Sequence, residues 1–255
     1  MVAQELKSAG FKVYTAARRV DRMADLEKDG ITPVALDLTR DGSIAACVNT
    51  ILSKEKSIDV LVNNAGYGSY GAIEDVPLEE GRRQFEVNLF GIALLIRLVT
   101  PAMREQHYEK IVNISSMGGK IWTKFGGWYH ATKYAVEGLS DCLRMELQPF
   151  GIDVVVVEPG GIKTDRGLIA AENLKKTSTN GAYAEMANKA ADGMIKNYSG
   201  DLLSKPALIA KTVRKAVTKR RPRTRYLVGF GAKPMVWTHR PFGDRVFDWV
   251  LRTFS

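Results

Sequence analysis

Short apolar runs alternate with longer amphipathic stretches along the first 160 residues of the chain. The runs are rich in Val and Ile and predict buried strands, whereas the stretches repeat their apolar positions every three to four residues and predict helices. The predicted strands are FKVYTAA, TPVALDL, IDVLVNNAG, KIVNISS and IDVVVVEPG. The predicted helices are residues 2 to 9, VDRMADLEKDG, DGSIAACVNTILSKE, LEEGRRQFEVNLFGIALLIRLVTPAMRE and WYHATKYAVEGLSDCLRMELQPFG. Uniformly apolar strands separated by helices predict an α/β fold, a doubly wound parallel sheet in a three-layer α/β/α arrangement.

Turn-forming and capping residues mark the boundaries of these elements. Gly10, Gly30 and Gly151 are each expected to end a helix, and Pro77 is expected to open the longest one. Asp41 is the expected N-cap of the helix that follows TPVALDL.

The regular alternation stops after Gly160. Residues 161–205 are rich in Lys, Asn, Ala and Gly, and predict a helical but mobile excursion above the sheet. A helix (PALIAKTVRKAVTK), a short last strand (RTRYLVG) and an amphipathic tail (FGDRVFDWVLRTF) then follow. The apolar face expected for the tail consists of Val246, Phe247, Val250, Leu251 and Phe254.

Length and composition favour a single domain spanning residues 1–255, because 255 residues with 45% hydrophobic side chains can fill one α/β core. No membrane-spanning helix is predicted, since the apolar runs fall short of roughly 18 residues. The charged start of the chain does not resemble an export signal, so a cytoplasmic location is expected. The net charge of +9 permits an anionic ligand without choosing one. The basic run KRRPRTR (219–225) is either a nucleic-acid or membrane patch or, as we favour, a solvated edge.

The cysteines and histidines give no sign of a metal site. Cys47 and Cys142 both fall in predicted helices, which suits a reduced compartment better than a disulfide framework. His107, His130 and His239 are scattered without ligand spacing, so each is expected to be structural or solvent-facing.

The stretch WYHATKYA carries the clearest chemical signal. Tyr129 and Lys133 stand four residues apart on a predicted helix and share a face, where an ammonium would favour the phenolate and lower the phenol's pKa. Alone, such a pair is more often an ordinary solvated contact. Ser116, however, follows a strand at the carboxyl edge of the sheet, where open α/β folds bind ligands, although it could equally cap a turn. NNAG (63–66) and EPGG (158–161) end the neighbouring strands at the same edge.

With these motifs together, the chain resembles the short-chain dehydrogenases/reductases, a Rossmann-fold family, over nearly its whole length. The resemblance implies that Tyr129 is the general acid/base and that Lys133 lowers its pKa and holds the nicotinamide ribose. It also implies that Ser116 polarises a carbonyl and that Asn88, in N-x-x-G, anchors a proton-relaying water. The residues implied to line the cofactor, besides Tyr129 and Lys133, are Asn64, Ala65, Gly66, Pro159, Gly160, Ile162 and Thr164.

The residues after the second strand of this fold indicate which cofactor is preferred. An acidic residue there binds the ribose 2′-hydroxyl of NAD, whereas arginine accommodates the 2′-phosphate of NADP. Arg18 and Arg19 occupy this place, so NADP(H) is predicted over NAD(H), the alternative being two solvated loop arginines. Asp37 resembles the family aspartate that meets the adenine edge, and an unpaired turn aspartate is its alternative.

By resemblance, a first strand and a Gly-rich turn should precede the opening helix, and neither is found before Gly10. The expectation is therefore a chain that starts roughly twenty residues late relative to the fold and lacks its first, central strand. Gly66, Gly68 and Gly71 match G-x-G-x-x-G, but no helix begins at the last glycine, so this is not the phosphate loop. These glycines are expected to shape a loop over the active site, leaving Tyr67 and Tyr70 to contact substrate.

The leading hypothesis is an NADP(H)-dependent oxidoreductase that interconverts a carbonyl and an alcohol on a small or hydrophobic substrate. The alternative is a nucleotide-binding regulatory or catalytically impaired member of the family. A homodimer or homotetramer is implied by resemblance, and no nucleic-acid partner is expected. The tail resembles those of the steroid and retinol dehydrogenase branch, which favours a hydrophobic substrate. Apolar residues near the expected pocket agree, unless they belong to the core: Met117, Ile121, Trp122, Phe125 and Trp128.

Overall fold

The computed structural model describes residues 1–106 and 109–253. The strands are β1 (Tyr14–Ala17), β2 (Thr32–Ala35), β3 (Val60–Asn63), β4 (Lys110–Ile114), β5 (Asp153–Pro159) and β6 (Arg225–Val228). The α-helices are α1 (Val2–Ser8), α2 (Asp41–Glu55), α3 (Leu78–Phe85), α4 (Gly91–Gln106), α5 (Gly127–Leu147), α6 (Arg166–Ser178), α7 (Ala184–Ser199), α8 (Ala207–Thr218) and α9 (Ala232–Thr253). Short 3₁₀ helices cover Val20–Asp29, Met117–Gly119 and Gln148–Phe150, and a π-helical turn covers Glu86–Phe90.

Every pairing between these strands is parallel, as predicted. β1 pairs with β2, and β3, β4, β5 and β6 pair in that order. Within residues 1–106 and 109–253, no ladder joins β1 to β3. The doubly wound α/β fold is therefore confirmed, and a further strand between β1 and β3 stays a prediction.

Successive residues of the central strands point to opposite faces of the sheet and build two cores. Ile111 and Val154 pack on one face with buried residues of α2 and α4, and Ala16 of β1 packs against the same core. Val112 and Val155 pack on the other face, in the core that α1 and α8 cover. The β1–β2 pair and the four-stranded sheet are thus held by shared cores.

The ends of the helices mostly lie where the sequence places them. Gly30 and Gly151 adopt positive φ angles of 71° and 75°, a conformation that glycine adopts without strain. The expected N-cap at Asp41 is wrong, because Arg40 holds the extended cap conformation and Asp41 is already helical. The Ser43 hydroxyl, in the first turn of α2, accepts a hydrogen bond from the Asp37 amide at 2.9 Å and so ties the helix to the chain before it, but it does not cap the helix.

The segment 161–205 is helical, as predicted. Its two consecutive helices, α6 and α7, pack together around a cluster of buried residues that are mostly small. Whether it moves stays a prediction, as does the single-domain organisation. In the tail, Phe247 is buried and Leu251 packs beside it, but Val246 is 41% exposed and lies off that face. Gly243, with φ 70° and ψ −178°, breaks the helix before this apolar face begins. His107, Phe254 and the side chain of Val250 lie outside the described residues.

The helical run from Leu78 to Gln106 is long and apolar enough to span a membrane by length and composition, with 33% of the apolar window buried. A core helix of a soluble protein meets the same criterion. Ile92, Ile96 and Met103 of this run are buried in the first core. The absence of a membrane span stays a prediction.

Candidate active site

Three neighbouring strands, β3, β4 and β5, end at one edge of the sheet and carry the polar motifs. At the end of β3 the Asn63 side-chain amide donates to the Asn113 side-chain oxygen at 2.8 Å. Asn113 in turn donates to the hydroxyl of Ser140 on α5 at 2.9 Å. This buried chain of hydrogen bonds ties two strands to α5 and so fixes the helix that carries Tyr129.

Lys133 is buried beside the end of β4. Its side chain is 4% exposed, and its ammonium donates to the carbonyl of Ile114 at 2.9 Å. Burial, and then the positive charge of Arg166, lower the pKa of Lys133 to about 8, although the Glu137 carboxylate opposes them. The ammonium lies 5.9 Å from the centre of the Tyr129 ring, so the predicted pair is assembled.

The phenol of Tyr129 does not have the lowered pKa that the sequence led us to expect. Burial raises the pKa of Tyr129 above its ordinary value, and the Ser116 hydroxyl and the Arg166 charge offset only part of that rise. The expected effect of Lys133 on this phenol is wrong for the structure as it stands. Its ammonium is engaged with the Ile114 carbonyl and does not appear among the groups that shift the phenol's pKa.

Ser116 both caps a turn and lies beside the phenol of Tyr129. Its hydroxyl accepts a hydrogen bond from the Gly118 amide at 3.0 Å and so caps the 3₁₀ turn after β4. The same hydroxyl lies 3.5 Å from the Pro159 carbonyl and lowers the pKa of Tyr129. Because the turn holds the hydroxyl in place, it faces the phenol from a fixed position.

Asn88 lies in the π-helical turn between α3 and α4, an irregularity that often marks functional sites. Its side-chain oxygen accepts from the Tyr67 amide at 3.0 Å, and its side-chain nitrogen donates to the Tyr67 carbonyl at 2.8 Å. The same nitrogen donates to the hydroxyl of Thr132 at 3.0 Å. Asn88 therefore holds the loop after β3 against α5, and its role toward a water stays a prediction.

The glycines after β3 allow this loop to pack directly on the catalytic helix. A Cβ on Gly68 would lie 2.9 Å from a ring carbon of Tyr129, and one on Gly66 would lie 3.0 Å from the side-chain oxygen of Asn88. The ring of Tyr70 packs beside that of Tyr129, with centroids 5.9 Å apart. The loop thus covers Tyr129, as expected from the sequence.

The loop is also pinned to the 161–205 segment. The Ala72 amide donates to the hydroxyl of Ser178 at 2.9 Å, and a Cβ on Gly71 would meet Thr177 at 2.8 Å. Tyr198 of α7 packs against Gly167 and is close enough to Tyr129 to raise its own pKa through that neighbour and through burial, burial being the larger cause. The loop after β3 and the 161–205 segment therefore both cover the phenol of Tyr129.

The residues expected at the adenosine end of a cofactor lie after β1 and β2. Arg18 and Arg19 are both exposed. The carboxylate of Asp37 accepts from the Thr39 amide at 3.0 Å and from its hydroxyl at 2.8 Å. The Thr39 amide is the largest cause of the lowered pKa of Asp37, and the nearby charge of Arg18 acts in the same direction. Asp37 is thus hydrogen-bonded within its own turn, so the alternative of an unpaired turn aspartate is wrong, and the adenine contact stays a prediction.

The expected nicotinamide segment leaves β5 and is held by neighbouring chain. Gly160 donates to the Val228 carbonyl at 2.8 Å, and a Cβ on it would press against Ala232 at 2.8 Å. Ile162 bridges to Ser204. Pro159 and Thr164 are half-buried, while Asn64 and Ala65 across the edge are exposed. The structure therefore brings the predicted cofactor residues of β3 and β5 to one edge of the sheet.

Sequence reasoning missed Arg166. It is the first residue of α6, and its guanidinium donates to the Asn64 carbonyl at 3.5 Å. Its charge lowers the pKa of both Tyr129 and Lys133. No spacing in the sequence indicates this placement, because the long side chain of the first residue of α6 reaches a residue 102 positions earlier.

The apolar residues offered as pocket lining belong mainly to packing clusters, which was their alternative interpretation. Ile121 is buried, and Met117 and Trp122 pack with it against α9, where the Trp122 indole donates to Asp248 at 3.0 Å. Phe125 packs with the α6–α7 cluster. Trp128 contacts the ring of Phe85 edge-on. A hydrophobic pocket is therefore not established by these five residues.

The basic run 219–225 lies away from the candidate site. A cleft of about 270 Å³ at the opposite edge of the sheet is lined by Arg144, Arg223 and the start of β5. Arg225 turns inward and contacts the carboxylates of Glu137 and Asp141 at 3.2 and 2.7 Å. The run is thus divided between a surface edge and a charge cluster.

Comparison with known proteins identifies the class to which this fold and site belong. Residues 1–174 match the family model of the short chain dehydrogenases. A curated 3-ketodihydrosphingosine reductase of Bacteroides thetaiotaomicron is 32% identical over 260 residues, covering 100% of this chain and 92% of that protein. A short-chain dehydrogenase structure from Streptomyces avermitilis is 33% identical, with a TM-score of 0.80, covering 93% of this chain and 86% of that one. A metagenomic short-chain oxidoreductase solved with NADP is 26% identical, with a TM-score of 0.65 and 89% coverage of both chains.

The chain therefore belongs to the short-chain dehydrogenases/reductases, and it is an oxidoreductase enzyme.

Proposed function

We propose that this enzyme uses NADP(H) to interconvert a carbonyl and an alcohol, with Tyr129 as the general acid/base. The observation that carries the proposal is the convergence of Tyr129, Ser116 and Lys133 at the carboxyl edge of β4, with Lys133 4% exposed and hydrogen-bonded to Ile114. Burying an ammonium costs free energy, and titratable groups that are both buried and shifted in pKa cluster at functional sites. The buried Lys133 therefore favours a catalytic site here.

The chemistry of Lys133 fits a nicotinamide cofactor. An ammonium carries three N–H donors, and within residues 1–106 and 109–253 only the Ile114 carbonyl accepts from this one. The remaining donors face a site where ribose hydroxyls would satisfy them. A bound nicotinamide would supply or accept the hydride, and Asn64, Gly66, Gly160 and Thr164 would lie along it.

The proton transfer falls to the protein. In the reductive direction Tyr129 gives its phenolic proton to the substrate oxygen, and the hydroxyl of Ser116 holds that oxygen within reach. Because the buried phenol has a raised pKa, it stays protonated at neutral pH and serves as the acid. In the oxidative direction the phenolate must form, and the positive charge of Arg166 favours it.

The preference for NADP(H) rests on Arg18 and Arg19 after β1 and on the lack of an acidic residue in that place. The metagenomic relative solved with NADP supports the same choice. A cytoplasmic location and a homo-oligomer accompany this proposal.

The substrate is proposed to be a hydrophobic ketone or alcohol. The curated relative named as a 3-ketodihydrosphingosine reductase acts, by that name, on a long-chain ketone. In this chain the rings of Tyr70 and Tyr198 lie close to Tyr129, and their aromatic surfaces suit an apolar substituent beside a carbonyl.

The test is oxidation of NADPH with a panel of short and long-chain ketones, comparing the wild-type chain with Tyr129→Phe. Removal of the phenolic hydroxyl is expected to lower kcat by about 10² to 10⁴. Tyr134→Phe is the matched control, because Tyr134 lies on the same helix, is exposed and should retain full activity.

NADPH binding without turnover in the wild-type chain would instead favour the regulatory or impaired member of the family. Equal rates for Tyr129→Phe and Tyr134→Phe would refute the catalytic assignment.

A further inference from the structure

Arg166 crosses the site from one wall to the other. It begins α6, two residues after Thr164 on the β5 side, and its guanidinium contacts the carbonyl of Asn64 on the β3 side at 3.5 Å. Because β4 lies between β3 and β5, the side chain passes over the end of β4, where Ser116 lies. It therefore lies between the two segments proposed to line the cofactor.

The charge of Arg166 is not neutralised by the protein. Among residues 1–106 and 109–253, no carboxylate lies within 4.0 Å of it, whereas the nearby cation Lys163 is paired with Asp201 at 2.7 Å. The same positive charge acts on Tyr129 and Lys133, lowering the pKa of each. The site thus holds two cations and needs an anion for balance.

The bonding of the guanidinium is equally incomplete. A guanidinium offers five N–H donors in a rigid plane, and here one long bond to a backbone carbonyl is its only hydrogen bond within the described chain. That plane matches two oxygens of a phosphate, which makes arginine the preferred side chain for bidentate phosphate contacts. A carbonyl with a single weak bond is readily exchanged for such a partner.

We propose that Arg166 binds the diphosphate of the nicotinamide cofactor, exchanging its contact with the Asn64 carbonyl for phosphate oxygens. The inference rests on the proposed function, since it takes the cofactor as given. In this proposal the side chain of Arg166 reaches from the start of α6 across the ends of the strands and contacts the cofactor there.

The test measures dissociation constants for NADPH, by nicotinamide fluorescence, and for adenosine 2′-monophosphate, by displacement, in the full chain. Adenosine 2′-monophosphate has the adenosine and the 2′-phosphate but no diphosphate. Arg166→Gln is expected to weaken NADPH about tenfold and to leave adenosine 2′-monophosphate within about twofold. Arg166→Lys should recover part of the loss, since it restores the charge without the fork. Lys176→Gln, at the exposed far end of α6, removes the same charge and should change neither constant.

An unchanged NADPH constant in Arg166→Gln overturns the inference. Equal weakening of the binding of both ligands also overturns it, because the Arg166 charge would then act on any anion at a distance. A change confined to the KM of the ketone overturns it as well, because the guanidinium would then bind an anionic group of the substrate. A wild-type chain that binds adenosine 2′-monophosphate and not NADPH refutes the cofactor proposal itself, and with it this one.

Discussion

At the scale of single residues, the site is governed by what burial does to two titratable groups. Lys133 is held as a buried cation, and its lowered pKa of about 8 reflects the free-energy cost of burying its charge. Tyr129 is held as a neutral phenol, and its pKa is raised for the same reason. Burial thus acts in opposite directions on the ammonium and the phenol, because it disfavours the charged form of each.

We predict that Lys133→Met gives a more stable and inactive enzyme at pH 7. The pKa of Lys133 falls from 10.5 unfolded to about 8 folded, so the folded state binds fewer protons between these values and stability rises as pH rises through them. At pH 7 the buried charge costs about 3 kcal/mol, and removing it should gain about 1 to 3 kcal/mol once the Ile114 hydrogen bond is lost. Thermal unfolding at pH 7 and pH 10.5 checks this.

The gain of Lys133→Met should shrink toward zero at the higher pH, where the wild-type lysine is neutral. A variant that is less stable than wild type at pH 7, or a difference that ignores pH, contradicts the account. Lys124→Met, at an exposed position, is the control.

We predict that Arg18 sets the preference for NADPH. Its charge contributes to the lowered pKa of Asp37 and opposes the rise that burial causes in the pKa of Tyr67, so it lies at the edge where the adenosine end would bind. Arg18→Gln should weaken NADPH about tenfold or more and leave NADH unchanged, since only NADPH carries the 2′-phosphate. Fluorescence titration of both nucleotides measures the ratio, and Arg19→Gln shows whether the second arginine shares the role. Equal loss for both nucleotides would argue against a 2′-phosphate contact.

At the scale of elements, a buried charge cluster joins α5, β5 and β6 beneath the site. Glu137 and Glu158 are both 4% exposed. Lys120 lies 2.9 Å from Glu137 and 3.9 Å from Glu158, and Arg225 lies 3.2 Å from each. Asp141 completes the cluster with its bond to Arg225 at 2.7 Å. Since Glu137 is one turn from Lys133 and Glu158 precedes Pro159, the cluster ties the catalytic helix to the proposed nicotinamide segment.

We predict that this cluster makes stability depend on pH near neutrality. Burial, and then the neighbouring Glu137 carboxylate, raise the pKa of Glu158 to about 7, from 4.5 in the unfolded chain. The folded state therefore binds more protons between these values, so the stabilising contribution is complete below pH 4.5 and is lost as pH rises through 7. Glu158→Gln should match wild type at pH 5 and exceed it by about 2 to 3 kcal/mol at pH 8.

Thermal or urea unfolding at the two pH values measures the difference. Glu146→Gln, an exposed glutamate on α5, should show none. A Glu158→Gln variant that is destabilised equally at pH 5 and pH 8 would mean that the carboxylate stays ionised throughout.

At the scale of the whole molecule, the α4 and α5 helices cover one face of the sheet and leave large apolar side chains at its surface. Phe90, Tyr134 and Met145 are 54%, 42% and 68% exposed. The resemblance to the family implies a homo-oligomer, and we expect its contacts on the helical segments that carry Asn88 and Tyr129. Exposed aromatic and Met side chains are enriched in such interfaces.

We predict a homo-oligomer that Phe90→Glu dissociates, because a carboxylate buried at an interface is costly. Light scattering coupled to gel filtration measures the mass of each variant. Leu202→Glu, at a 74% exposed position on the 161–205 segment, should leave the assembly intact. A wild-type monomer at micromolar concentration, or two variants of equal mass, would contradict the proposed interface.

Local patterns were sufficient to predict the parallel α/β fold and the core of the site. Uniformly apolar runs identify the strands, i, i+4 spacing places Tyr129 and Lys133 on one face, and Ser116 follows a strand end. Each of these depends on neighbours in sequence. The placement of Ile121 and Trp122 could not be predicted in this way, because they pack against α9, which is distant in sequence. The cap at Asp41 was wrong although it is a local prediction, since Arg40 takes the cap position, and Val246 turns away from its expected apolar face.

The sequence by itself determined the fold class, through the periodicity of its apolar residues, and it placed Tyr129 and Lys133 on one helix face, through their spacing. It indicated the family through motifs that resemble those of known members. Only the tertiary structure decided the direction of the Tyr129 pKa, the bond that engages Lys133 and the reach of Arg166 to Asn64. A pKa depends on how much solvent the whole fold removes, and a side-chain contact depends on where segments distant in sequence come to lie. Neither quantity is carried by a local pattern of residues.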